Sequence, residues 1–257
     1  MECKRYFDKN WVGAVILCLI PMIAENLYIF PLIFTEQIDA ISPMINIFEK
    51  SSLFPVSLLA VTIVCSTAFL EDKANRSFFY HVFRCGKHRY ALCRFFSIIL
   101  MSASAIVFAQ IIFMAFAIIC FPFPDVGYYH PSTESALALI SIQNPILVYL
   151  LSFGLQIFEY AAWAGLALAA STFYTNQYVV IFVPFIFYTI LTVFCTYAEK
   201  WVSNISVILE SLLLPFILTD IASAGWSAAL SRFAILFLSM MLLSYLVFLR
   251  RGVVKSA

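Results

Sequence analysis

Six long apolar runs, at 11–34, 53–70, 95–121, 145–173, 178–197 and 233–249, constrain this chain more than anything else in it. A helix needs about 20 mostly apolar residues to cross the hydrocarbon core of a bilayer. The last run is short, but Arg232 and Arg250 flank it, and long basic side chains can carry their charge out to the interface. The first run resembles a signal peptide only superficially. It is too long, contains Glu25 and lacks a small-x-small cleavage site, so it reads as a retained helix. Apolar residues make up 63% of the sequence and charged ones 11%, against about 25% charged in an average soluble domain. That balance excludes a soluble enzyme, a disordered chain and a nucleic-acid-binding module, and predicts one all-α polytopic membrane domain over 1–257.

Charge placement predicts orientation. With six spans and an inward N-terminus, twelve of the fifteen Lys and Arg residues fall on the cytoplasmic side, leaving only Lys50, Lys200 and Arg232 outside. Both termini are therefore expected in the cytoplasm. The outer segments are acidic, with Glu36, Asp39, Glu49, Asp125, Glu134, Glu199, Glu210 and Asp220. A seventh apolar stretch, 205–221, is split by Pro215 into halves too short to cross, which predicts re-entrant or interfacial half-helices before the last span. Seven cysteines, none well inside an outer segment, suggest no disulfide framework.

Several chemistries lack their residues. There is no G-x-x-x-x-G-K-[ST] phosphate loop and no H-E-x-x-H pair. His81, His88 and His130 all lie between spans, so Ser227 in Gly225-Trp226-Ser227 has no membrane-embedded base. The chain is expected to be no enzyme and to carry no cofactor or metal of its own.

The segment 71–94 between the second and third runs holds six basic residues and two acids. Phe79, Val82 and Phe83 recur at helical spacing with Phe78 alongside, which predicts a short amphipathic helix ended by Gly86. Such a helix either lies on lipid headgroups or docks into a soluble partner, its aromatics filling a pocket and its charges setting register.

From Glu71 at the end of a span, through Ser77, to Arg84-Cys85-Gly86-Lys87-His88-Arg89-Tyr90 and Arg94 opening the next span, the sequence resembles the ABC-2-type permease subunit of ATP-binding-cassette exporters. Ser77 stands where that family usually has Gly, and Arg94 where Lys is common. The resemblance implies a type V exporter arrangement and a homodimer in a bacterial plasma membrane. It also implies two copies of a separate cytoplasmic ATPase, which would bind ATP and Mg. It makes 1–10 an interfacial elbow helix and 71–90 a coupling helix. Glu71, Asp72, Arg76, Phe78, Phe79, Val82, Phe83, Arg84, Lys87 and Arg89 are then its ATPase-coupling residues. Spans two and five would line the path, with the 203–231 segment capping it outside.

Inside the spans, Glu25 and Glu159 are the deep carboxylates, and no Lys, Arg or His lies in any run to neutralise them. Each either faces cargo or a wet cavity, or bonds helix to helix. Ala161, Gly165 and Ala169 form a small-residue packing stripe beside Glu159, which favours the second role there. Tyr178, Phe182, Phe185, Thr189 and Thr192 share one face of span five, while span two carries Ser57, Thr62, Cys65 and Ser66. Mixed aromatics and hydroxyls suit an amphipathic or apolar cargo better than an ion. Path candidates are thus Glu25, Ser57, Thr62, Ser66, Tyr178, Phe182, Phe185, Thr189 and Thr192, and Pro55 and Pro184 are candidate kinks. The expected function is ATP-driven export of hydrophobic or amphipathic peptides or other lipophilic compounds. The alternative is a non-transporting immunity protein that captures a cationic toxin at its acidic outer face.

Overall fold

The computed structural model describes residues 9–27, 54–75, 77–121, 145–198 and 226–254. Every regular element among them is helical: α1 (Lys9–Asn26), α2 (Phe54–Ala74), α3 (Ser77–Cys85), α4 (Lys87–Cys120), α5 (Pro145–Ala170), α6 (Gln177–Ala198) and α7 (Trp226–Val247), followed by a π-helical turn (Phe248–Val254).

α5 occupies the centre and packs against α2, α4, α6 and α7; α1 lies against α2 and α4, and α2 also meets α6. The sequence of α5 explains its place. Ala161, Ala162, Ala164, Ala167, Ala169 and Ala170 are all buried. Such short side chains let neighbouring axes approach closely, which is how helices associate where lipid supplies no hydrophobic drive. Gly165 serves the same end, because a Cβ there would come within 3.3 Å of the Phe95 ring and 3.6 Å of Ser244 Cβ.

Among the described residues, four stretches have the length and composition to cross a membrane: Lys87–Cys120, Phe153–Ala170, Gln177–Phe194 and Ala234–Val254. This is the make-up of a membrane protein. Of the other two long helices, α1 has its described apolar part at Asn10–Ala24, and α2 is apolar from Phe54 to Leu70 before it reaches Glu71, Asp72 and Lys73. Residues 28–34 of the expected first span, 1–8 of the elbow expected at 1–10 and 203–225 of the expected cap lie outside the described residues, while Lys9 and Asn10 open α1.

Several boundaries differ from the sequence reading, for local reasons. The 71–94 segment is almost wholly helical rather than a loop around one short helix. α2 continues to Ala74 and α4 starts at Lys87, eight residues ahead of the apolar run that marked it. α7 begins at Trp226, so residues 226–231 belong to the last helix and not to a capping segment, and Arg232 lies within the helix rather than ahead of it. Pro55 is the second residue of α2, where a missing N–H breaks no helical bond, so it starts that helix and does not kink it. Pro184 does lie inside α6.

Candidate functional site

α3 is held between α2 and α4 at one end of the bundle, and its sequence fixes how. Phe78 and Val82 are four residues apart and form one buried ridge. Phe78 meets Phe69 of α2 edge-on, ring centres 5.9 Å apart, and Tyr90 of α4 at 5.4 Å. Phe69 in turn meets Phe248 of the π-turn at 5.1 Å. Beneath this aromatic cluster, Arg94 Nη2 donates to Asp72 Oδ2 at 2.7 Å, and Tyr90 Oη donates to the same oxygen at 3.1 Å. Both charged groups are buried. A buried pair holds its geometry because neither member can leave without stranding the other.

Gly86 closes α3 and opens α4 alone. Its N–H donates to the Val82 carbonyl at 2.9 Å, and its own carbonyl accepts from Tyr90 N–H at 3.0 Å. Its φ of 82° and ψ of 152° lie in a region that essentially only glycine adopts. A single residue therefore makes the corner between two helices.

The opposite side of α3 is open. Phe79, Tyr80, Phe83 and Arg84 are exposed, Phe83 at 86%, and Arg84 Nη1 reaches Tyr80 Oη at 3.5 Å. Glu71, Lys73, Lys87, His88 and Arg89 are exposed around this ridge. The coupling residues expected from sequence thus divide. Glu71, Phe79, Phe83, Arg84, Lys87 and Arg89 face outward; Asp72, Phe78 and Val82 form the mount; Arg76 lies outside the described residues.

The path candidates divide as well. Thr62 Oγ1 donates to Leu59 O at 2.9 Å and lies 3.3 Å from Ile181 O, joining α2 to α6. Ser57 is buried and is a hydrogen-bond partner of Tyr160. On α6, Tyr178, Phe182 and Thr189 are exposed, and Phe185 and Thr192 are half-buried. Thr189 and Thr192 hydroxyls donate to Phe185 O and Tyr188 O of their own helix, both at 2.9 Å. This face lies on the outside of the single chain, not in its interior. The side chains of Glu25 and Ser66 lie outside the described residues.

Three interior features escaped the sequence reading. Gln110 Nε2 donates to Gln156 Oε1 at 2.8 Å, and Tyr149 Oη donates to Gln110 Oε1 at 3.2 Å, tying α4 to α5. Two amides inside apolar runs are the signal that pointed there. Trp11 Nε1 donates to Ser104 Oγ at 3.1 Å and its ring meets Phe108 at 5.2 Å, fixing α1 on α4. Finally, a cleft of about 600 Å³, open on one side and almost entirely apolar, runs along α5 between α6 and α7, with Trp163, Phe173, Phe187, Phe237 and Leu243 among its walls. Chemically the arrangement can dock and bind; among the described residues no cluster of His, Cys, Asp and Glu could hold a metal ion.

No protein-family model, curated protein or solved structure matches this chain.

Proposed function

We propose that this chain is the membrane-embedded permease subunit of an ATP-driven exporter of the ABC-2 type. It works as a homodimer in a bacterial plasma membrane, with two copies of a separate ATPase that binds ATP and Mg. Its cargo is a hydrophobic or amphipathic peptide or another lipophilic compound, moved outward. One observation carries the reading: α3 offers an aromatic and basic ridge to the surroundings while its other side is clamped by Phe78 and the Asp72–Arg94 pair. A helix that only rested on lipid would need no such mount; a lever that receives force does. The chain carries no phosphate loop, so that force comes from a companion. The outward-facing stripe on α6 fits a second copy, which would enclose Tyr178, Phe182 and Phe185 between the protomers.

The test is a search of the neighbouring reading frames for a phosphate-loop ATPase and co-expression with it, followed by affinity purification and transport into inverted vesicles. Replacing Phe79, Tyr80 and Phe83 together by Ala should release the ATPase and abolish ATP-dependent transport. Transport that persists unchanged in that variant, or in the permease reconstituted alone, overturns the reading.

A further inference from the structure

The apolar cleft along α5 and the basic turn at one end of it form a second feature with its own chemistry. α6 and α7 both pack on α5 and scarcely on each other, which leaves the cleft open between them. Its walls run from Trp163 to Ala170 on α5, with Phe173 and Tyr174 just past that helix, and from Leu236 to Val247 on α7. A helical rise of about 1.5 Å per residue makes the α7 wall about 16 Å long, close to half of a hydrocarbon core of about 30 Å. One end of the cleft lies where α5 stops, α6 starts and the π-turn follows α7. There Cζ of Arg251 lies 4.0 Å from the centre of the Phe173 ring, which is itself cleft wall. Close packing sets the position of that arginine: a Cβ on the neighbouring Gly252 would come within 2.8 Å of Thr172 Cγ2 and 3.1 Å of the Phe248 ring. Arg250 and Arg251 are both exposed.

We propose that this cleft binds an anionic phospholipid from the leaflet at the α3 end of the bundle. One acyl chain lies along Trp163, Phe187 and Leu243, and the phosphate rests on Arg251, with Arg250 adding to the field. Three observations choose this occupant. The walls are almost entirely apolar, so they suit an acyl chain and offer a polar ligand few partners. Their length is that of one leaflet, whereas a spanning helix of a second copy would need a groove across both. The positive charge stands at one end of the apolar wall, where a headgroup sits relative to its chain. Stacking on Phe173 uses the face of the guanidinium, and its N–H donors lie in the plane, the geometry that grips a phosphate with two prongs. A neutral lipid would fit the walls equally well and draw nothing from the arginines. The proposal needs a bilayer around the chain and holds whether or not the chain exports.

The test counts bound lipid. Full-length protein in detergent micelles is titrated with dioleoyl phosphatidylglycerol and, separately, with dioleoyl phosphatidylcholine, and the lipid retained per chain is read by native mass spectrometry. Wild type should hold phosphatidylglycerol about fivefold more tightly than phosphatidylcholine or better, the scale of one arginine beside an anionic headgroup. Arg251→Gln should erase most of that preference and leave phosphatidylcholine binding unchanged. Leu243→Trp, which narrows the cleft from α7, should weaken both lipids; Leu243 is 62% exposed, so bulk added there leaves the helix packing intact. Excess inorganic phosphate should not displace the lipid. Equal affinity for the two headgroups in wild type, a preference untouched by Arg251→Gln, or indifference to Leu243→Trp each overturns the proposal. Displacement by inorganic phosphate alone overturns it too, since the affinity would then lie in the arginines without the cleft.

Discussion

Removing one member of the Asp72–Arg94 pair leaves the other charged and buried without its opposite charge. Asp72→Ala or Arg94→Ala should each cost about 3–5 kcal/mol, seen as a lower unfolding midpoint of the detergent-solubilised protein. The double variant Asp72→Leu/Arg94→Met should recover most of that loss, since a matched apolar pair strands no charge. A double variant no better than the singles would mean that the pair is not the clamp. Gly86→Ala has open space for its methyl group, so its cost comes from the backbone alone, about 1–3 kcal/mol. At this scale the sequence is only partly legible. Gly86 announces itself as a helix end. Asp72 and Arg94 look like two more charges in a basic segment, because nothing local shows that 22 residues of chain fold back to bury both.

At the scale of one element, α3 has two apolar ridges where an amphipathic helix needs one. Phe78 and Val82 face the bundle, while Phe79 and Phe83, about 100° further round, do not. The four residues form a single apolar face in the sequence; in the structure the flanking helices are wide enough to cover only half of it. The two halves should respond differently to truncation. Phe78→Ala is expected to destabilise the chain by about 3–5 kcal/mol. Phe83→Ala should leave stability within about 0.5 kcal/mol of wild type and, if the export reading holds, weaken capture of the proposed ATPase. Equal stability losses at the two positions would contradict the assignment of sides. The α6 stripe carries a parallel expectation. Phe182→Cys should give a disulfide-linked dimer under mild oxidation, read on a non-reducing gel. No cross-link at 178, 182 or 185 would remove the second copy from that face.

For the whole molecule, the centres of α4, α5, α6 and α7 were legible, because runs of Leu, Ile, Phe and Ala admit little besides a helix in lipid. Their ends were less so, since a helix can continue through polar residues once it has left the hydrocarbon layer, as α4 does from Lys87 to Arg94. Interior polar contacts and the cleft depend on which helix faces meet, and one chain's pattern does not carry that information. Gln110→Leu tests the largest of those contacts. It removes the amide that Gln156 and the Tyr149 hydroxyl bond to, and should cost about 0.6–2 kcal/mol in unfolding measurements. The π-turn also has a practical consequence. Phe248 meets Phe69 edge-on, and Phe69 meets Phe78 in the same way, so the π-turn lies beside the base of α3. If the export reading holds, a bulky fluorescent fusion or purification handle inserted after Val254 should crowd the surface that α3 offers to the proposed ATPase and block docking while leaving every helix in place.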